Sequence, residues 1–226
     1  MNKGLYLKAA WGLLQLPIVM AAFLFLPAWT LDYWEAWVFI GVFFVCTLGI
    51  TLYLAIEDPK LLERRMTVGP AAEREKTQKV ISGLAILSFA ATIIVPAIDH
   101  RFGWSVMPTS MAVLGNALII LSFIGFFFVF RANTYGASTI QVTEGQRVIS
   151  TGPYAIVRHP MYSAALLLMF GIPLALGSWW GLVMFVPAVA GIVWRLLDEE
   201  DFLSRNLTGY VDYMRQVPYR LVPLIW

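Results

Sequence analysis

Long apolar runs constrain this 226-residue chain more than any other feature of its sequence. A helix needs about 20 predominantly apolar residues to cross a bilayer. The apolar runs span residues 9–28, 34–56, 80–98, 107–130, 162–176 and 179–197. Only Gly177 and Ser178 separate the last two runs, which predicts a helical hairpin over 161–197. The expected fold is an all-α, polytopic bundle of about six transmembrane segments.

Composition supports a membrane protein and argues against several other classes. Hydrophobic residues make up 59% of the chain and charged residues only 13%, which is too little polar surface to coat a soluble domain. The net charge of +2 lacks the basic excess of nucleic-acid-binding proteins, so we expect no nucleic-acid partner. A single cysteine, Cys46, excludes an intrachain disulfide. With only two histidines besides, we expect no metal centre.

The distribution of basic residues predicts an orientation. If the apolar runs cross the membrane in alternate directions, every Lys and Arg except Arg101 falls on one side. Basic residues near the ends of spans stay in the cytoplasm, so both termini are expected to be cytoplasmic. A bacterial plasma membrane is favoured over the endoplasmic reticulum, because the C-terminus carries no KDEL-like retrieval signal.

Polar residues gather on that same side, in 57–79, in 131–160 and after residue 197. We therefore predict an N-terminal transmembrane bundle of four spans over 1–130 and a catalytic region over 131–226. Chemistry is expected at the cytoplasmic interface, where a water-soluble reagent can meet a lipid-embedded partner.

The segment 151–162 leads from a polar loop into an apolar helix. Gly152 and Pro153 predict a turn, and Pro160 suits the first position of a helix, where its missing N–H is not needed. His159 then lies at a helix entrance, where free N–H groups and the positive end of the helix dipole can receive an anionic group. The alternative, with about equal weight, is that the segment only anchors a helix end at the lipid headgroups.

A second segment, 194–203, brings one arginine and four acids into an apolar helix. Arg195 and Glu199 are four residues apart and share a helix face. The alternative is a helix end that is simply solvated. If the helix continues toward Tyr210, however, the charges lie near membrane depth, where burial is costly and usually functional, and we favour that interpretation. The charged stretch 57–65 is interpreted instead as an amphipathic segment at the headgroups.

Taken in order, these motifs resemble the isoprenylcysteine carboxyl methyltransferase family and, more distantly, the membrane phospholipid N-methyltransferases. The motifs are the segment 152–162, the pattern Arg195-xxx-Glu199-Glu200, the pair Tyr210-xx-Tyr213, and Arg220-xx-Pro223. In the N-terminal half, only the stretch Asp58-Pro-x-Leu-Leu-x-x-Arg65 and the pattern of spans add to the resemblance.

The resemblance implies S-adenosylmethionine as the methyl donor, S-adenosylhomocysteine as the product, and no metal. It implies that Arg195 and Glu199 are catalytic, with Arg195 facing the reacting group. The cofactor-binding residues implied by the resemblance are Tyr154, His159, Pro160, Tyr162, Glu199 and Glu200. The family often has glycine two residues after the tyrosine of the His-Pro motif; here that residue is Ala164, which is expected to tighten the pocket.

The methyl acceptor is expected to be a lipophilic small molecule or a lipid-anchored substrate that arrives from the bilayer among the membrane lipids. A carboxylate needs no base at neutral pH and fits a bidentate Arg195, so O-methylation is favoured. An amine, as in phospholipid N-methylation, must first lose a proton, with His159 or a glutamate as the base. A thiol is a further option. The alternative from another class is a non-enzymatic membrane scaffold or small transporter, in which the same charges are solvated anchors.

Overall fold

Helices make up most of the computed structural model, which describes residues 3–66, 76–136 and 145–226. In chain order they are α1 (Lys3–Ala28), α2 (Trp34–Glu57), α3 (Pro59–Met66), α4 (Lys76–Phe102), α5 (Thr109–Ala132), α6 (Pro160–Ala175), α7 (Trp179–Val183), α8 (Phe185–Asn206) and α9 (Tyr210–Gln216). A 3₁₀ turn, Gly152–Ala155, precedes α6. The predicted all-α fold of a polytopic membrane protein is confirmed.

Within the part of the chain that the structure describes, five helical segments are long and apolar enough to cross a membrane: α1, α2, α4, α5, and α7 taken together with α8. The sixth predicted segment is the 16-residue α6. At a rise of about 1.5 Å per residue, α6 is roughly 24 Å long, which is short of the ~30 Å hydrocarbon core. The N-terminus of α6 can therefore lie below the headgroups, where polar groups require partners from the protein.

The two helices α5 and α6 pack closely because glycines remove side chains from their interface. A Cβ atom added to Gly115 of α5 would lie only 2.1 Å from the backbone nitrogen of Ala175 at the end of α6. A Cβ on Gly171 of α6 would lie 3.0 Å from the carbonyl oxygen of Gly115. Small residues allow such close backbone approach between membrane helices, and the approach fixes α6 against the rest of the bundle.

The connections between helices fall at two opposite ends of the bundle. At one end, the hydroxyl of Tyr33 donates to the carbonyl of Leu176 at 2.7 Å, which ties the α1–α2 connection to the α6–α7 connection. The side chain of Ser178 donates to the buried Asp99 at the same end. The opposite end carries α3, the start of α6, the end of α8 and the C-terminal tail. This alternation agrees with the predicted pattern of spans, and the assignment of that second end to the cytoplasm stays a prediction.

Candidate active site

A cleft of about 790 Å³ lies where α6 begins and α8 ends. This volume includes the open mouth of the cleft, which is continuous with solvent. The cleft is lined by residues of the loop after α5, of the segment 146–162, of α8 and of α9. Four of the predicted site residues are among them: Tyr154, His159, Tyr162 and Glu199. These side chains come from three separate segments, which the fold brings together.

The start of α6 has the local structure that the sequence predicts. Gly152 has a φ of +59°, which a residue with a side chain rarely adopts, and it opens the 3₁₀ turn that includes Tyr154. His159 is the residue before the helix, and Pro160 is its first residue. This geometry points His159 and Tyr162 toward the same cleft, with their ring centroids 5.7 Å apart.

The C-terminal tail pairs with the residues that lead into α6. The backbone N–H groups of Arg158 and His159 donate to the carbonyls of Tyr219 at 2.9 Å and Arg220 at 3.0 Å. The hydroxyl of Ser163 donates to the carbonyl of Leu221 at 2.6 Å. The tail therefore engages these two N–H groups, which precede the first turn of α6.

Glu200 is the centre of a buried ionic cluster. One carboxylate oxygen accepts from Nε of Arg158 at 2.6 Å and lies 3.2 Å from Nε2 of His159. The other oxygen accepts from Nε of Arg220 at 2.9 Å. Glu200 and Arg158 are only 5% and 6% exposed. Buried charges are tolerated when they are paired and hydrogen-bonded in this way, so Glu200 holds His159 and the tail in place.

Arg158 completes the cluster by binding the tail directly. Its Nη1 donates to the carbonyls of Val217 at 2.8 Å and Pro218 at 2.9 Å. One of the two interpretations of segment 151–162 makes Arg158 an anchor at the lipid headgroups. Its guanidinium points into the protein instead, because the tail supplies carbonyl partners that no local pattern reveals.

Glu199 and Arg195 meet on either side of the Tyr162 hydroxyl. The hydroxyl donates to Oε2 of Glu199 at 2.5 Å and accepts from Nε of Arg195 at 3.1 Å. The two residues share one face of α8, as their spacing predicts, and Tyr162 of α6 links them. Glu199 borders the cleft, whereas Arg195 stands behind Tyr162. The catalytic roles of Arg195 and Glu199 stay predictions, as do the cofactor contacts of Pro160 and Glu200.

Arg195 is also held by polar residues of α4 that sequence reasoning missed. Its Nη1 donates to Oε1 of Gln78 and to the hydroxyl of Ser82, each at 3.1 Å. The Gln78 amide in turn donates to the carboxylate of Asp198. Gln78 and Ser82 are buried and lie four residues apart on one face of an apolar helix. That spacing of two polar residues was the available sequence signal.

The leucines of the stretch 57–65 pack against the bundle, and its interpretation as a segment at the level of the headgroups stays a prediction. The Asp58 carboxylate accepts from the backbone N–H of Leu61 at 2.9 Å and caps α3. Leu61 and Leu62 are buried inside the protein and not in lipid. Arg65 therefore reaches inward, where Nη1 donates to the Met161 thioether at 3.3 Å.

The environment of Arg65 is apolar and aromatic. Its guanidinium lies 5.0 Å from the ring centroid of Phe130. Burial lowers the pKa of Arg65, although the group stays charged at neutral pH. Arg65 and Arg195 thus place two guanidinium groups near Tyr162, and only the second was expected from the sequence.

Tyr154 forms part of the opposite wall of the cleft. Its hydroxyl accepts from the Asn133 amide at 3.0 Å, and its carbonyl accepts from the hydroxyl of Tyr213 at 2.8 Å. Burial raises the pKa of Tyr154 to about 12. The phenol is therefore neutral under physiological conditions, which suits a packing and hydrogen-bonding role.

Ala164 lies in the α5–α6 interface and not in the wall of the cleft. Its methyl carbon would be 3.2 Å from a Cβ placed on Gly125, and its carbonyl accepts from the hydroxyl of Ser122 at 2.8 Å. The expectation that Ala164 tightens the cofactor pocket is therefore wrong. The glycine at position 125 provides the space that the alanine takes.

One known family is similar to the part of the chain that holds the cleft. Residues 109–208 match the family model described as phospholipid methyltransferase. Over this part the chain is similar to that family, which belongs to the membrane methyltransferase superfamily that also includes the isoprenylcysteine enzymes, and the predicted resemblance is confirmed at that level. No curated protein matches the chain. The apolar helices and this similarity indicate an integral membrane methyltransferase, and the matched family implies S-adenosylmethionine as the donor.

The matched region begins at α5 and ends just after α8, so it contains every predicted site residue. Arg65, Gln78 and Ser82 precede it, and Tyr210 and Arg220 follow it. Among the residues that the structure describes, no group of three or more His, Cys, Asp and Glu side chains could hold a metal ion.

Proposed function

We propose that the protein is a methyltransferase that binds S-adenosylmethionine in this cleft and methylates a lipophilic acceptor, most favourably a carboxylate of the isoprenylcysteine type. The observation that carries the proposal is the hydrogen-bonded series Glu199–Tyr162–Arg195 at the wall of the cleft. In this series the carboxylate of Glu199 borders the cleft and the guanidinium of Arg195 lies behind Tyr162. The Tyr162 hydroxyl forms a hydrogen bond with each of them.

The residues of the cleft fit the donor. When bound, S-adenosylmethionine supplies a methyl group activated by a sulfonium cation. Glu199 offers a carboxylate to a cation, and the rings of Tyr154, His159 and Tyr162 offer aromatic faces. The Tyr162 hydroxyl is fixed by two charged partners, so its ring cannot turn freely. Methyl transfer depends mainly on such alignment and on a tuned electrostatic environment.

Two guanidinium groups favour a carboxylate acceptor. Arg195 donates to the Tyr162 hydroxyl. Arg65 donates to the thioether of Met161, which directly precedes Tyr162 in the sequence. In the proposed reaction the bond from sulfur to the methyl carbon breaks and a bond from a carboxylate oxygen to that carbon forms. The positive charge of the donor and the negative charge of the acceptor disappear together, and no proton moves. A base is therefore unnecessary, whereas a positive side chain that orients the carboxylate is useful.

Methylation of a phospholipid amine is the second candidate, and the description of the matched family favours it. An ammonium acceptor must lose a proton before its nitrogen can attack. His159 is the proposed base: with a proton on Nε2, directed at Glu200, its Nδ1 remains an acceptor. Because His159 borders the cleft, it is placed to receive that proton.

Binding of S-adenosylhomocysteine, the product formed from the methyl donor, tests whether the protein is a methyltransferase or a non-enzymatic membrane protein. We would titrate S-adenosylhomocysteine into the full-length protein in detergent by calorimetry and compare Glu199→Gln with Asp201→Asn. Glu199 borders the cleft, whereas Asp201 is an exposed acid of the same helix that pairs with Arg205. Saturable binding that weakens in the first variant and not in the second is expected. Absence of binding to the wild type would favour the scaffold or transporter and overturn the proposal.

The chemistry of the product tests the acceptor. The protein would be incubated with methyl-labelled S-adenosylmethionine and, separately, with a prenylated cysteine and with phosphatidylethanolamine in vesicles. A base-labile methyl ester on the prenylated cysteine is expected. A stable methylamine on the phospholipid, with no ester on the first acceptor, would instead establish the second candidate.

We also propose that both termini face the cytoplasm of a bacterial plasma membrane. The proposal is supported by the concentration of Lys and Arg at the end of the bundle that carries the cleft. Fusing a periplasm-dependent phosphatase and a cytoplasm-dependent fluorescent protein to the C-terminus of the whole chain tests it. Fluorescence without phosphatase activity is expected, and the reverse would place the cleft on the outer side.

A further inference from the structure

The hydroxyl of Tyr210 is buried and has no hydrogen-bond partner among the described residues. Tyr210 is 4% exposed and forms part of the cleft wall. Tyr213, three residues further along α9, is equally buried, but its hydroxyl donates to the carbonyl of Tyr154 at 2.8 Å. A buried hydroxyl without a partner costs free energy and is uncommon in native proteins. Because Tyr210 also lines the cleft, a molecule bound there is a candidate for the missing partner.

The backbone holds Tyr210 firmly in this position. Gly209 has a φ of +86°, a conformation that favours glycine, and it turns the chain from the end of α8 into α9. The backbone N–H of Tyr210 donates to the carbonyl of Leu207 at 3.1 Å. Since the ring is also tightly packed, the hydroxyl cannot easily move away to find water.

The wall around Tyr210 suits a flat, weakly polar group. Tyr210 belongs to an apolar cluster with Leu207 and Tyr213, against which Val148 and Leu203 pack. The lining of the cleft also includes charged residues, among them Arg158 and Glu199. Nucleobases bind well against aromatic and aliphatic side chains while their edges seek hydrogen bonds.

Charge also determines which role the hydroxyl takes. Burial, reinforced by the nearby negative charges of Glu199 and Glu200, raises the pKa of Tyr210 well above its ordinary value. The hydroxyl therefore keeps its proton at any physiological pH. A ligand that offers a ring nitrogen or a sugar oxygen is the complement of such a donor.

We propose that Tyr210 is a specificity-determining contact for the nucleoside part of the methyl donor, with its hydroxyl bonded to an acceptor atom of the adenosine group. This inference rests on the proposed function, because it takes the ligand of the cleft to be S-adenosylmethionine. Tyr210 lies beyond the matched region 109–208, so the family match does not assign it a role.

The test compares Tyr210→Phe with Tyr213→Phe in the full-length protein. S-adenosylhomocysteine and 5′-methylthioadenosine, which lacks the amino-acid part, would be titrated by calorimetry. Tyr210→Phe should weaken the binding of both ligands by the same factor. The dissociation constants should rise about three- to tenfold, which is the usual effect of losing one hydrogen bond. The melting temperature of the ligand-free protein should rise in Tyr210→Phe by about 2–4 °C, because an unsatisfied buried hydroxyl is removed. It should fall in Tyr213→Phe, because a satisfied hydrogen bond is lost.

Each other outcome contradicts the inference in a distinguishable way. If the wild type binds neither ligand, the proposed function fails and the inference fails with it. If the wild type binds and Tyr210→Phe binds equally well, only the role of Tyr210 is wrong. If the variant weakens S-adenosylhomocysteine alone, or the wild type binds no 5′-methylthioadenosine, the assignment to the nucleoside is wrong. A lower melting temperature of Tyr210→Phe would show that its hydroxyl is already satisfied without ligand.

Discussion

The side-chain oxygen of Gln78 accepts a hydrogen bond of 3.1 Å from Arg195, across a sequence separation of 117 residues. The same carboxamide donates to Asp198, so Gln78 holds a cation and an anion of α8 at once. Gln78 lies in α4, outside the matched region 109–208. The N-terminal spans therefore contribute more than a hydrophobic support, because one of them fixes the side chain that we propose to orient the acceptor.

Replacing Gln78 by leucine should impair methyl transfer more than donor binding. The substitution removes one partner of the Arg195 guanidinium and one of Asp198 while keeping a side chain of similar size. A hydrogen bond to a charged group contributes about 1.5–3 kcal/mol, so kcat should fall by about tenfold or more. Affinity for S-adenosylhomocysteine should change less than twofold, because the cleft residues are untouched. Steady-state kinetics and calorimetry on the same preparation measure both.

Two further variants distinguish a loss of Arg195 positioning from a general loss of stability. Gln78→Glu keeps an acceptor for Arg195 and should retain more activity than Gln78→Leu. Lys79→Gln alters the exposed neighbour and should match the wild type. Equal kcat in wild type and Gln78→Leu would show that Arg195 is placed without Gln78.

Glu200→Gln should strongly destabilise the protein. The change leaves the buried guanidinium of Arg158 without its carboxylate, and breaking a buried ion pair from one side typically costs about 3–5 kcal/mol. Asp201→Asn is the matched control, since the adjacent acid pairs with Arg205 on the exposed side of the same helix. Thermal unfolding in detergent should show a large loss for the first variant and no measurable change for the second. Similar melting temperatures for both would contradict the buried cluster.

Much of the fold and part of the site could be predicted from the sequence because their determinants are local. Apolar runs of sufficient length define the spans, and the Gly-Pro and His-Pro pairs define the turn and the start of α6. The four-residue spacing of Arg195 and Glu199 predicted their shared face of α8, whereas a common site for Tyr162 and Glu199 was implied only by the family resemblance. Each of the local signals is contained within one helix or one loop.

The rest depends on contacts between distant segments. Arg158 and Arg65 look like headgroup anchors in the sequence, because nothing beside them reveals that the tail and α6 supply their partners. The exact fit of Gly125 to Ala164 likewise appears only when two helices are packed. A long basic side chain satisfies either a lipid headgroup or a protein carbonyl, and only the tertiary structure decides between them.

Gly115→Ala should disrupt the α5–α6 interface. An added Cβ would lie 2.1 Å from a backbone nitrogen of α6, and backbone atoms cannot give way as a flexible side chain can. Overpacking of this kind usually costs about 1–3 kcal/mol or more, so the melting temperature should fall. Gly41→Ala is the control, because no atom lies within 4 Å of the corresponding Cβ in α2. At position 41, alanine loses less conformational entropy than glycine when the helix forms, so the stability of Gly41→Ala should be unchanged or higher.

The pH dependence of stability should reveal the burial of Tyr154. Its pKa is raised to about 12 in the folded protein, whereas an exposed tyrosine titrates near 10. Between these values the unfolded chain loses its proton and the folded protein keeps it, so stability declines as pH rises from about 10 to 12. Below pH 10 both states are protonated and this contribution does not vary. Tyr154→Phe removes it, so melting temperatures measured from pH 8 to 12 should decline less steeply in the variant. Parallel profiles would mean that Tyr154 titrates normally and is not enclosed by Asn133 and Tyr213 as the structure indicates.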